Sequence, residues 1–144
     1  MEIRFARAED IETIRSLLAA SSLSAVDVTK ASLITFFVAE DDTPMITGCI
    51  GLQEHGAVGL LRSLAVRPNA RGVGIGRALI AMVEEFSALR RVECLYLLTT
   101  TADDFFTRYG YRAIERGAAP DAIRGTMQYT ELCPASATFM TKTL

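Results

Sequence analysis

A chain of 144 residues is the size of one ordinary domain and can bury about 70% of the surface its unfolded form exposes. Half of its residues are apolar and 22% are charged, with only 10 Gly and 4 Pro, which excludes disordered and fibrous classes. Lys and Arg number 15 against 17 Asp and Glu, a net charge of −2, so no whole-surface attraction to nucleic acid or an anionic membrane is available and any polyanion must meet a local patch.

Taken in chain order, Glu2 to Arg7 alternates Ile3 and Phe5 with Glu2 and Arg4, the period of a half-buried strand. Ile11, Ile14, Leu17 and Leu18 place one apolar face on a helix over 9–20, with Glu9 and Asp10 at its positive end. Residues 24–32 form an amphipathic piece that reads as a second short helix. Thr35 to Glu40 is a strand rich in Phe and Val, Asp41-Asp42-Thr43-Pro44 a turn, and Met45 to Glu54 the next strand. His55-Gly56 reverses the chain into Ala57 to Val66, which predicts an antiparallel meander.

Beyond Val66 the pattern changes. A loop at 67–70 leads into the glycine-punctuated stretch Arg71 to Gly76, and Leu79, Met82, Val83, Phe86 and Leu89 mark one face of a helix beginning at Ile75. Val92 to Thr99 is a nearly continuous apolar strand, Ala102 to Tyr109 a short helix stopped by Gly110, and Tyr111 to Glu115 another strand. Ala119 to Thr126 and Met127 to Leu132 read as two helical turns and Ala137 to Leu144 as a last strand. These elements predict an α+β, mixed α/β domain rather than a doubly wound one, with residues 1–144 forming a single domain.

The cysteines Cys49, Cys94 and Cys133 are odd in number and lack a CxxC pair, so they read as buried reduced thiols rather than metal ligands. With no apolar h-region near the N-terminus and no apolar run of about 18 residues, neither secretion nor membrane insertion is expected, and a cytoplasmic setting is.

The informative stretch is Arg71-Gly72-Val73-Gly74-Ile75-Gly76-Arg77. Glycines let backbone approach a ligand, and amides opening a helix point outward with the positive end of the dipole behind them, so the stretch is a ready site for a pyrophosphate. Between His55 and Val83 there is no acidic residue, whereas Arg62, Arg67, Arg71 and Arg77 lie there, giving the local positive patch. The glycines run G-x-G-x-G, which is neither the dinucleotide fingerprint G-x-G-x-x-G nor a Walker loop ending in G-K-[ST].

Leu64-Ala65-Val66 followed by R-x-x-G-x-G at Arg71, Gly74 and Gly76 resembles the acetyl-CoA signature of the GCN5-related N-acetyltransferase (GNAT) family, and Phe105 to Tyr111 follow in that family's order. The resemblance implies a central mixed, mostly antiparallel sheet flanked by helices, with a splayed strand pair at the CoA site. It implies that Leu64, Ala65 and Val66 pair with the pantetheine arm, that Arg71, Gly72, Val73, Gly74, Gly76 and Arg77 hold the pyrophosphate, and that Thr99 and Phe106 border the cofactor. The segments Leu61 to Val66, Leu95 to Thr101 and the tail Ala122-Ile123-Arg124 through Cys133-Pro134-Ala135-Ser136-Ala137 resemble the arsenic-resistance branch of that family.

Two positions depart from the family pattern. Where many members carry a Glu that draws a proton from the amine, this chain has Arg62, which stays protonated but can clamp a carboxylate, phosphinate or arsenic oxyanion with two bonds. Where the family's Tyr protonates the departing thiolate, this chain has Phe106. The remaining candidates are Tyr109 as acid and Glu54 or His55 as base, with Arg124 beside Arg62 as a substrate contact. A backbone amide of the Ala65 to Val66 strand would serve the developing oxyanion. The expected activity is therefore an acetyl-CoA-dependent N-acetyltransferase acting on a small-molecule amine that also bears an anion, without metal, nucleic acid or membrane partner, and compatible with a homodimer. The competing readings are a CoA-binding regulatory or accessory protein without turnover, and a trivalent-arsenic sensor built from the three thiols.

Overall fold

Alternation and helical periodicity translate into β1 (Glu2–Phe5), α1 (Ile11–Ala20), β2 (Thr35–Glu40), β3 (Ile46–His55), β4 (Val58–Val66), α2 (Ile75–Leu89), β5 (Cys94–Thr99), α3 (Asp103–Arg108), β6 (Arg112–Ile114), α4 (Asp121–Arg124) and β7 (Thr138–Thr143) in a computed structural model that describes residues 1–144. The strands follow the order β1-β2-β3-β4-β5-β7-β6. Pairing is antiparallel for β1 with β2, β2 with β3, β5 with β7 and β6 with β7, and parallel for β4 with β5, so the sheet is mixed and mostly antiparallel, with helices flanking it. The chain divides into two compact units, Met1–Gln53 with Arg62–Phe86, and Glu54–Leu61 with Ser87–Leu144.

In the first unit the sequence TFFVAE of β2 sends alternate residues to opposite faces, as a period of two requires. Phe36 and Val38 join Ile46, Cys49 and Ala65 against Ile14, Leu17 and Leu18 of α1. Phe37 points the other way, its ring 5.4 Å from Phe86 of α2 and 4.7 Å from Phe5 of β1. Gly48 permits α2 to approach β3, since a Cβ there would lie 3.1 Å from each of Ile75, Leu79 and the Ala65 carbonyl oxygen.

Two details of this unit differ from the sequence pattern. Residues 24–32 form isolated turns, not a helix. The Arg15 guanidinium donates to the carbonyls of Ala25 and Val28 at 2.6 and 2.5 Å, so two acceptors that a helix would use are taken, and the β-branched Val26, Val28 and Thr29 disfavour helix as well. In β1 the polar partner of the alternation is drawn in: Arg4 donates to Asp10 at 2.8 Å and to Glu40 at 2.9 Å, and this neutralisation lets the guanidinium stay mostly covered on an edge strand.

In the second unit Val58, Gly59 and Leu60 at the start of β4 pair with Cys94, Leu95 and Tyr96 of β5, and β5 pairs along its whole length with β7, from Cys94 opposite Thr143 to Thr99 opposite Thr138. β5 is covered on both faces as its apolar run predicts, Leu95 and Leu97 being buried while Tyr96 and Leu98 pack with Leu60, Ala119, Ile123 and Phe139. Ile123 is the apolar plug that α4 contributes. The predicted second helical turn is a π-type turn, Gln128–Leu132, joined to α4 through the Thr126 hydroxyl, which donates to the Ile123 carbonyl at 2.7 Å and accepts from the Tyr129 amide at 3.3 Å. Arg116 donates to the carbonyls of Tyr129 and Pro134 at 2.8 and 2.9 Å and lies 4.8 Å from the centre of the Tyr129 ring.

The Arg4 hydrogen bonds hold the Asp10 and Glu40 carboxyls below their ordinary range. Groups with lowered native values stabilise the fold above the ordinary carboxylate pKa of about 4 and lose that contribution as pH falls through the native value. Urea midpoints of Arg4→Met should therefore lie below wild type at pH 7, with the gap narrowing as pH falls below about 4; a gap that stays constant with pH would show that the pair contributes nothing through its charge.

Candidate functional site

The loop ahead of α2 takes its shape from two glycines. Gly72 and Gly74 have φ of +83° and +88°, a left-handed conformation that residues with a Cβ avoid, and a Cβ on either would meet nothing within 4 Å. The first helical bond runs from the Ala78 amide to the Gly74 carbonyl at 3.0 Å, so the amides from Val73 through Arg77 have no acceptor within the helix. No acidic residue lies in the first turn of α2, and Val73 is 74% exposed. Open backbone, unsatisfied amides and the positive end of a 15-residue helix make an anion cradle. Arg71 folds back to donate from Nε to the Val66 carbonyl at 3.0 Å, tying the cradle to the end of β4. Arg67 is committed elsewhere, its Nε donating to the Ile46 carbonyl at 2.6 Å.

Within β4 the alternation breaks at Ser63, whose φ of +58° is unusual for a residue with a side chain. Leu60, Leu61 and Arg62 are buried in succession, then Ser63 and Leu64 are half-buried and Ala65 is buried again. Arg62 is thereby turned inward, with 1% of its side chain exposed. Its Nη1 donates to Asp27 Oδ2 and, at 3.1 Å, to Gln53 Oε1; its Nη2 donates to Asp27 Oδ1 at 2.6 Å, and its Nε to Ser63 Oγ at 3.0 Å. The guanidinium meets a carboxylate in the two-point geometry that the sequence assigned to a substrate anion, but the carboxylate belongs to Asp27. Sequence spacing could not reveal Asp27, 35 positions away in an irregular segment, although a buried Arg demands some such partner.

The predicted residues of the second unit are placed as follows. Thr99 accepts the Ala102 amide on its hydroxyl at 3.0 Å and so shapes the entry to α3. Phe106 is buried edge-on against Phe105 and Tyr111, at 5.4 and 5.6 Å between ring centres, and Tyr109 is half-buried, 5.0 Å from Phe105. Glu54 and His55 lie at the turn that opens β4, whereas Ala65 and Val66 close that strand. Glu54 accepts from Arg90 at 2.9 Å, and His55 Nε2 is buried without a hydrogen-bond partner. Arg124 donates to the carbonyls of Gly117 and Ala119, the latter at 3.0 Å.

The Cys49 thiol is buried, which pushes its pKa up to about 12 and keeps it protonated; Cys94 and Cys133 are half-buried. No group of three or more His, Cys, Asp or Glu side chains is gathered to hold a metal ion. No helix is long and apolar enough to cross a membrane.

The family model described as "Acetyltransferase (GNAT) domain" matches residues 32–113, more than half of the chain, from before β2 into β6. The chain belongs to the GNAT acetyltransferase domain family. An uncharacterized N-acetyltransferase of Chlorobaculum tepidum is 35% identical over 89 residues, 61% of this chain and 56% of that relative, so the chain spans just over half the relative's length. Among solved structures, N-acetylglutamate synthase from Neisseria gonorrhoeae, complexed with coenzyme A and N-acetyl-glutamate, superposes with a TM-score of 0.84 at 22% identity, over 99% of this chain and 35% of its own. A Mycobacterium tuberculosis protein complexed with CoA gives a TM-score of 0.81 at 22% identity, covering 100% of this chain and 99% of its own. PaiA N-acetyltransferase from Thermoplasma acidophilum, in complex with coenzyme A, gives 0.72 at 17%, over 99% and 98%. These likenesses show a shared GNAT fold.

Removing one partner of a buried ion pair strands the other. Arg62→Leu is expected to lower the unfolding free energy by about 3–5 kcal/mol, and Arg62→Leu with Asp27→Leu to recover most of that loss. Urea denaturation of the two single and the double variants measures the coupling, and additive effects would show that the pair is not a unit.

Proposed function

We propose that this GNAT chain is an acetyl-CoA-dependent N-acetyltransferase whose acceptor is a small amine that also bears an anion, an amino acid analogue or an organoarsenical, in the arsenic-resistance branch of the family and in the cytoplasm. The cradle before α2 carries the first half of this reading. Left-handed Gly72 and Gly74, free first-turn amides and the surrounding arginines suit a pyrophosphate, and the three solved relatives described above contain CoA. Arg62 carries the second half, a buried guanidinium already presenting two donors to a carboxylate. The branch assignment rests on the Leu61 to Val66 segment and the Cys133-Pro134-Ala135-Ser136-Ala137 tail.

Acetyl-CoA supplies an activated acetyl group. On this reading the chain's own groups orient and stabilise: Ala65 and Val66 offer backbone to the pantetheine arm and to the developing oxyanion, the amides from Gly72 to Arg77 hold the diphosphate, and Thr99 borders the cofactor. Phe106 has no proton to donate, so Tyr109 is the phenol nearest in sequence for the leaving thiolate, and a thiol of pKa about 8.5 leaves with modest help. Glu54, which accepts from Arg90, and His55, whose Nε2 has no hydrogen-bond partner, are the candidate bases; solvent is the alternative acceptor for the amine's proton.

Gly74→Ala forces a Cβ into the left-handed region at a cost of about 1–2 kcal/mol, enough to weaken acetyl-CoA binding about tenfold by calorimetry. Undiminished affinity would remove the loop from the cofactor site. A panel of amines, read by thiol release from acetyl-CoA, should show turnover on acceptors carrying a carboxylate, phosphinate or arsenic oxyanion. Turnover on polyamines with silence across the anionic acceptors would refute the substrate class, and tight CoA binding with no acceptor at all would favour an accessory protein.

A further inference from the structure

Arg62 has the geometry of an anion clamp, and its two terminal nitrogens already serve a carboxylate. An acceptor's anion can meet it face-on only when Asp27 gives way. We propose that Asp27 is a positioning residue of the acceptor site: an internal carboxylate that holds Arg62 in its clamping orientation and is exchanged for the acceptor's own anion on binding. This rests on the reading of Arg62 as the acceptor's anion contact.

The asymmetry of the pair supports exchange. Arg62 is 1% exposed and fixed on β4, whereas Asp27 is 15% exposed, so the pair is open to solvent from the Asp27 side. Asp27 lies between two pinned points. The Arg15 guanidinium holds the carbonyls of Ala25 and Val28, and the Val28 side chain is fully buried, so the backbone on either side of Asp27 is anchored. The carboxylate can therefore swing by rotation about its own χ1 without displacing the segment. When it swings, Gln53 Oε1 and Ser63 Oγ still accept from Nη1 and Nε, so the guanidinium plane keeps its orientation and the vacated donors face outward.

The exchange is selective by its energetics. A buried guanidinium does not persist unpaired, so the open form is populated only when an anion takes the place of Asp27. An amine without an anion finds the pair closed. An anion-bearing amine takes the donors and releases the Asp27 carboxylate, while its apparent affinity is reduced by the fraction of time Asp27 occupies the site. Asp27 thus sets both the acceptor class and a ceiling on its affinity.

Melting curves of the full chain titrated with formate and with methylphosphonate test this. Asp27→Ala should melt below wild type and be raised by either anion in a saturable manner, with a rise at least three times that of wild type, and Asp27→Ala with Arg62→Leu should show no saturable rise. Asp27→Asn, which keeps the shape of the side chain, carries the same titration where Asp27→Ala does not melt cooperatively. Equal responses in wild type and both single variants, or none in the variants, overturn the exchange. A second readout separates positioning from bulk stability: in Asp27→Asn, the KM for anion-bearing acceptors should fall at least fivefold relative to that for amines lacking an anion, and a uniform change would overturn it. Anion rescue without acetylation of any anionic amine would refute the substrate class and leave the exchange standing; acetylation of such amines without rescue would do the reverse.

Discussion

A guanidinium with 1% of its side chain exposed must be neutralised by protein groups, and much of the first unit is arranged around doing so for Arg62. Gln53 reaches it from β3, Ser63 adopts a left-handed backbone beside it, and Asp27 comes from a segment that has no regular structure of its own. That segment stays irregular because Arg15 takes two of its carbonyls. Two buried or half-buried arginines, one fixing backbone and one fixing a carboxylate, thus shape residues 21–34 where apolar packing contributes mainly Ala25, Val28 and Ile34. The strand that carries Arg62 ends at the cradle, so the same nine residues of β4 position a candidate acceptor contact and a candidate cofactor contact.

Elements whose pattern is local were legible in the sequence. Thr35–Glu40 and Ile75–Leu89 have the bounds that alternation and 3.6-residue periodicity assign, because burial on one face dictates spacing along the chain. The cradle was legible for a similar reason: the need for left-handed backbone is written directly as glycine at positions 72 and 74. Residues 24–32 were not, since their apolar spacing suits a helix and the competing hydrogen bonds come from Arg15, on a different element. The pairing of Arg4 was not legible either, because its two carboxylates lie 6 and 36 positions away. Asp27 went unseen on the same ground. Charge pairing at long separation leaves no period.

The composition also gains a spatial meaning. A chain of net charge −2 concentrates arginines between His55 and Val83, yet these are not one undifferentiated patch. Arg62 is neutralised inside, and Arg67 and Arg71 each bond a carbonyl oxygen, of Ile46 and Val66, through Nε, while the loop's backbone amides have no helical acceptor. Peptide dipoles and the remaining arginine donors both favour an anion at the cradle, and the Nε bonds of Arg67 and Arg71 tie its flanks to the main chain.

Residues 115–137 are organised on a different basis. Arg116 and Arg124 each bind two main-chain carbonyls, and the Tyr129 hydroxyl returns a bond to the Arg116 carbonyl at 2.9 Å. Main-chain oxygens are the same whatever side chain they carry, so this scaffold is blind to most of the sequence it supports. With the two arginines, Tyr129, Thr126 and the buried Ala119, Ile123 and Ala137 retained, the exposed positions between them are free to vary, and the tail is a frame that can carry different surfaces without rebuilding the fold beneath.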